Sequence, residues 1–132
     1  MILAGTYNKL IALRETSVGV FLGDDEGNDV LLPNKYVPKE LKVDDEIEVF
    51  IYHDSEDRLI ATNLTPKAIK NQFASLRVQE VNRVGAFLDW GLEKDLLVPY
   101  KEQASEMIEG HWYVVYVYLD LESGRLVAST KL

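Results

Sequence analysis

Two histidines, no cysteine and two runs of carboxylates are all that this 132-residue chain offers for bond-making chemistry. His53 and His111 fall near strand ends or turns, and neither has the nucleophile and orienting partner that hydrolytic catalysis requires. Each reads as a surface histidine. Without cysteine there are no disulfides and no thiolate metal sites. Asp24-Asp25-Glu26 lacks the spacing of a calcium loop with its terminal glutamate. Asp44-Asp45-Glu46-Glu48 runs into a strand, which splits its carboxylates between two faces. Both runs read as solvated turns, and no glycine loop is placed to cradle a phosphate. The expectation is a protein that is not an enzyme and holds no metal or cofactor.

What remains is binding chemistry, in which flat apolar groups stack on bases and cations follow phosphates. Strand alternation places Phe87 and Leu88 on opposite faces. With Leu88 in the core, Phe87 points outward, where it either holds a base, worth ~1–3 kcal/mol, or covers the end of a barrel. Trp90 shares the face of Leu88 and is expected in the core. Arg77, Arg83, Lys94, Lys101 and Arg125 form either a phosphate track or an ordinary solvated surface; Arg77 alternates with the apolar Leu76 and Val78. Tyr100 opens a long connection and either flanks a binding face or is an ordinary loop tyrosine. Asp120 and Arg125 flank a hairpin, where a cross-strand pair at the surface would be worth little.

The elements that must position these groups come in duplicate. Val18-Gly19-Val20-Phe21-Leu22 recurs 66 positions later as Val84-Gly85-Ala86-Phe87-Leu88. At the same offset Asp29-Val30-Leu31-Leu32-Pro33 becomes Asp95-Leu96-Leu97-Val98-Pro99, and Val49-Phe50-Ile51-Tyr52 becomes Val115-Tyr116-Val117-Tyr118. With one inserted residue, Arg58-Leu59-Ile60-Ala61 matches Arg125-Leu126-Val127-Ala128. Each copy reads as five short strands, near 5–15, 18–22, 29–32, 46–52 and 58–64, then 73–82, 85–90, 95–98, 112–119 and 125–130. Polar, glycine-bearing links such as Asp24–Asn28 and Ser123-Gly124 separate antiparallel strands. Gly19 and Gly85 sit where a barrel corner would bend. The stretches 34–45 and 100–111 lack periodicity and have room for one helical turn each. Thr65-Pro66-Lys67-Ala68 reads as a hinge between domains 1–65 and 66–132. Five strands with a long third connection is the pattern of the OB barrel, with an SH3-type barrel as the structural alternative. The fold expected is all-β, two five-stranded OB barrels in tandem.

Composition sets the remaining bounds. The net charge is −8, and nearly half the residues are apolar, enough for packed cores. The charge is lopsided. Residues 1–66 carry six Lys/Arg against thirteen Asp/Glu, net −7, whereas 67–132 carry eight against nine, net −1. If phosphate is bound, the later copy is the better candidate. The start of the chain shows no basic segment and cleavage site of a secretion signal. The longest apolar run, Trp112 to Leu119, is far short of the ~20 residues that span a bilayer. A cytoplasmic protein without a membrane segment is expected.

The second copy resembles the S1 RNA-binding domain. Gly85-Ala86-Phe87-Leu88, Asp95-Leu96-Leu97-Val98-Pro99, Gly110-His111, and Leu119-Asp120 with Arg125 follow that family's blocks in order. The wording Gly85-Ala86-Phe87-Leu88-Asp89-Trp90-Gly91 is similar to bacterial proteins of the conserved virulence factor B (YitL-like) family. These string S1-type domains ahead of a winged helix, so the chain is expected to be the N-terminal part of a longer regulatory protein. The resemblance implies single-stranded RNA on the face of the second and third strands. It carries over to Phe87, Asp120 and Arg125, with Phe21, Asp54 and Arg58 as weaker counterparts. It departs at Val84 and Val18, where the family pattern has an aromatic, and at Pro99 and Pro33, where it has histidine. Two expectations follow. Either the second copy binds RNA beside an acidic, degenerate first copy, or the acidic first barrel meets a basic protein partner and nucleic acid binds elsewhere.

Overall fold

Alternation sets the strands. In Tyr7–Glu15 (β1), Leu10 and Ala12 are buried while Lys9, Ile11 and Leu13 face outward. The computed structural model describes residues 1–132, and its contacts divide the chain into Met1–Leu64 and Thr65–Leu132. In the first unit, β1 is followed by Gly19–Gly23 (β2), Asp29–Pro33 (β3), Glu46–His53 (β4) and Leu59–Thr62 (β5). They close into a barrel in the order β1-β2-β3-β5-β4. Every ladder is antiparallel except the short parallel contact of Leu31 with Ile60. β1 closes the circle by pairing through Tyr7–Ile11 with β4 and through Ile11–Glu15 with β2. A bulge at Leu13, between Ala12 and Arg14, bends the strand so that it can serve both neighbours.

The second unit repeats the plan with Phe73–Val81 (β6), Gly85–Asp89 (β7), Leu96–Pro99 (β8), Trp112–Leu119 (β9) and Leu126–Ser129 (β10). Its order is β10-β9-β6-β7-β8. β8 and β10 lie side by side without a ladder pair. The bulge recurs at Gln79. Both units are the expected OB barrels, with strand ends within one residue of the sequence reading apart from 5–15, which starts at Tyr7, and 58–64, which stops at Thr62. There the Thr62 hydroxyl accepts the Leu64 amide at 3.1 Å and turns the chain out of the ladder. The connections 34–45 and 100–111 each hold one 3₁₀ turn, Asn34–Tyr36 and Tyr100–Glu102.

The duplication reaches into the cores position by position. Leu10, Ala12, Val20, Leu22, Val30, Leu32, Val49, Ile51 and Ala61 form the first. At the offset of the repeat stand Leu76, Val78, Ala86, Leu88, Leu96, Val98, Val115, Val117 and Ala128, all buried. One pair is reversed. Ala12 and Val20 are diagonal neighbours across β1 and β2, and their counterparts are Val78 and Ala86, so the summed volume is kept.

Two sequence readings change. Gly19 and Gly85 are the first residues of β2 and β7 and are needed for close backbone approach. A Cβ on Gly19 would lie 2.1 Å from the Leu32 carbonyl oxygen, and one on Gly85 2.4 Å from that of Val98. The stretch read as a hinge is fastened to the second unit. The Lys67 amide donates to the Trp90 carbonyl at 2.7 Å, and Pro66 and Ala68 are buried.

Candidate nucleic-acid interface

In an OB barrel the second and third strands form the face that meets oligonucleotides, which here is β7 and β8. Leu88 is wholly buried, so the adjacent Phe87 is turned outward and is half-buried, between Glu80 of β6 and Leu97 of β8. Its position is central. β7 and β8 pair from Gly85–Pro99 at one end to Leu88–Leu96 at the other, and the remaining sequence-derived residues gather at those two ends.

At the Asp89 end stands Arg77, exposed on β6, opposite Asp89 and donating to Gln79 Oε1 at 3.0 Å. Lys94 lies half-buried in the turn after β7, its carbonyl accepting the Trp90 indole N–H at 2.7 Å. Trp90 is in the core at 3% exposure, as alternation implied. At the Gly85 end, Tyr100 is half-exposed and its hydroxyl donates to the Asn82 carbonyl, pinning the turn before β7. Lys101 follows it and lies near Asp120. The Asp120 carboxylate accepts the Ser123 hydroxyl at 2.8 Å. That hydrogen bond, with backbone amides and the Lys101 charge, holds its pKa below the ordinary carboxylate value. Arg125 is exposed on the far side of the same turn.

Carboxylates also border the ring, which alternation alone did not show. Asp95 has its pKa raised by burial and by the charges of Asp89 and Glu80. The face is therefore mixed in sign, with cations at its ends and acids beside its centre.

In the first unit the counterpart groups are engaged with one another. The Arg14 guanidinium lies 4.3 Å from the Phe21 ring centroid and bonds Asp29 at 3.2 Å. Asp54 accepts the Arg58 side-chain Nε–H at 3.1 Å and the amides of Glu56 and Arg58. Those bonds hold its pKa low against the burial that raises it. The Asp24 carboxylate organises its turn by accepting the Glu26 and Asn28 amides. His53 is half-buried rather than at the surface, and His111 is exposed. No group of three or more His, Cys, Asp or Glu side chains is arranged to hold a metal.

Sequence reasoning missed two residues of this surface, Lys67 and Trp112. The run Trp112–Leu119 is apolar on both faces, so its periodicity does not say which rings point outward. In the structure Val115 and Val117 are buried while Trp112 and Val114 are exposed.

Comparison with known proteins agrees with this architecture. The family model described as S1 domain matches the chain twice, over residues 4–64 and 72–131. The chain is 39% identical over 86 residues to the uncharacterized protein YitL of Bacillus subtilis, covering 64% of this chain and 28% of that protein. It is 35% identical over 63 residues to conserved virulence factor B of Staphylococcus aureus, covering 48% of this chain and 21% of that protein. The chain thus spans less than a third of the length of these relatives. A multidomain protein with nucleic acid binding domains from Streptococcus pneumoniae shares the fold over 95% of this chain and 45% of its own, with a TM-score of 0.79 at 23% identity. No helix is long and apolar enough to cross a membrane. By the two matches, which together take in every strand, the chain belongs to the S1 domain family and carries two such domains in tandem.

Proposed function

We propose that the chain is a nucleic-acid-binding module, and that its second unit holds single-stranded RNA without doing chemistry on it. The observation that carries this reading is Phe87, turned out at the middle of the β7–β8 face with Arg77 and Lys94 toward one end and Tyr100, Lys101 and Arg125 toward the other. Stacking on the ring is indifferent to base identity, because every base has a π-face. Binding is therefore sequence-tolerant, and the mixed charge of the face keeps it weak. The cytoplasm, where RNA is met, is the compartment this reading assigns.

Fluorescence anisotropy with labelled oligo-uridylate tests the proposal. If three phosphates are neutralised, affinity falls about 20-fold between 50 and 200 mM salt. Replacing Phe87 and Arg125 together by alanine abolishes most of the signal; unchanged binding would show the wrong face has been chosen.

A second reading has its own support. In the first unit Arg14 covers Phe21 and the net charge is −7, which suits a basic protein partner better than a polyanion. A partner retained after nuclease treatment, with no oligonucleotide bound by the chain, would select it.

A further inference from the structure

The outer face of β9 carries an aromatic ring with no role in the packing of either core. Trp112 opens the strand and is 58% exposed. It pairs in register with Arg77 of β6, which pairs in turn with Asp89 of β7. Lys67 reaches over the same spot, its Nζ 5.8 Å from the indole centroid and 3.6 Å from the Asp89 carboxylate. An open indole face is thus bordered by two cations, only one of them offset by a carboxylate.

This spot is continuous with the face already described. Phe87 and Asp89 are alternate residues on the outside of β7. From Phe87 to Trp112 is two residues along a strand and two strands across, about 12 Å over the surface. That exceeds the 3.4 Å rise of one stacked base in a duplex strand, so the two rings meet different bases. Farther along β9, Tyr116 packs against Phe73 at 4.9 Å and beside Tyr118 at 6.4 Å. Those rings are occupied with each other, whereas the partner of Trp112 is a cation. The corresponding place in the first unit has Glu46 for Trp112 and Ile11 for Arg77. It is a hollow of about 390 Å³ lined in part by Asp24, Asp25 and Glu46, which would repel a phosphate chain.

We propose that Trp112, flanked by Lys67 and Arg77, is a second stacking platform, and that one single strand crosses the outer face of β7, β6 and β9 from Phe87 to Trp112. The inference rests on the nucleic-acid reading above and extends its footprint beyond the β7–β8 face. Cations beside an aromatic plane suit a nucleotide, whose base stacks while its phosphate is neutralised.

The chain contains two tryptophans, and Trp90 is sealed in the core at 3% exposure, so collisional quenching by acrylamide reports Trp112 above a constant emission from Trp90. Titration with oligo-uridylate at low salt is expected to quench the emission and shield it from acrylamide. Trp112→Ala, at an exposed position, keeps the circular dichroism of the parent and weakens anisotropy-detected binding about 5- to 150-fold, the range for one lost stacked base. Trp112→Tyr keeps most of the affinity. If the parent binds by anisotropy while emission and acrylamide access stay unchanged, and Trp112→Ala binds as tightly, this platform is refuted and the Phe87 face stands. If no oligonucleotide binds, both readings fall. If Trp112→Ala changes the sedimentation of the protein but not its RNA affinity, the ring is a protein contact and the inference is overturned.

Discussion

Replacing Gly85 by alanine places one methyl group where the backbone of β8 already lies. The added Cβ falls 2.4 Å from the Val98 carbonyl oxygen and 3.1 Å from the Pro99 Cα, both backbone atoms. Ordinary carbon contacts begin near 3.5 Å, so the carbonyl must retreat by about 1 Å. That carbonyl belongs to the ladder in which Gly85 pairs with Pro99 and Ala86 with Val98, and retreat breaks the end of the sheet. Overpacking a well-filled site costs about 1–3 kcal/mol. The φ of +155° at Gly85, which disfavours a side chain, adds about 1 kcal/mol or more. A loss of about 3 kcal/mol is expected, and in a unit of this size each kcal/mol lowers Tm by about 4–8 °C. The melt should therefore fall by roughly 12–24 °C. Both tryptophans lie in the second unit, so thermal unfolding followed by their emission reads this unit alone. Gly124→Ala is the control: its φ is +74° but its Cβ meets nothing within 4 Å, so only the left-handed penalty of about 1–2 kcal/mol applies. A Gly85→Ala melt no lower than that of the control would refute the close-approach argument.

The remaining predictions concern charge and packing. Asp95 has a raised pKa from burial, Asp89 and Glu80, so its favourable contribution is complete below the unfolded carboxylate pKa and is lost as pH rises through the folded one. Asp95→Asn is thus expected to raise Tm at pH 7 and lose that advantage below about pH 4; an equal difference at both pH values would contradict it. The same substitution removes a charge beside Phe87 and should tighten oligo-uridylate binding measured by anisotropy. In the first core Ala12→Val alone overfills the space and should cost about 1–3 kcal/mol, whereas Ala12→Val with Val20→Ala should cost less than about 1.5 kcal/mol. A urea-melt double-mutant cycle checks this, additivity being the outcome against it. Trp90→Phe leaves the Lys94 carbonyl without its indole donor and should destabilise the second unit by about 1–3 kcal/mol in a urea melt followed by circular dichroism.

The barrels were legible because a repeat doubles every signal. Leu22 and Leu88, or Val49 and Val115, support one another as core positions where either alone would be an ordinary apolar residue. The orientation of Phe87 was legible too, since Leu88 beside it had to face inward. What lies across from Phe87 was not. In a regular ladder Gln79 would oppose it, because Val78 pairs with Leu88; the bulge at Gln79 brings Glu80 there instead. A bulge is one extra residue with no compositional mark, so the acidic neighbour came only with the coordinates. Lys67 was hidden by its place next to Pro66, which suggested a hinge, and Trp112 by a strand apolar on both sides.

The reversed pair in the two cores bears on how the chain avoids misassembly. Two copies with matching registers give each first strand a plausible wrong home, and tandem repeats are prone to that kind of exchange. A hybrid barrel built from Tyr7–Glu15 and Gly85–Asp89 would bring Ala12 beside Ala86 and leave a gap. Its mirror image would crowd Val78 against Val20. Both hybrids are penalised by packing alone, so a difference of a few methyl groups, invisible in the total volume of either core, steers each strand to its own barrel.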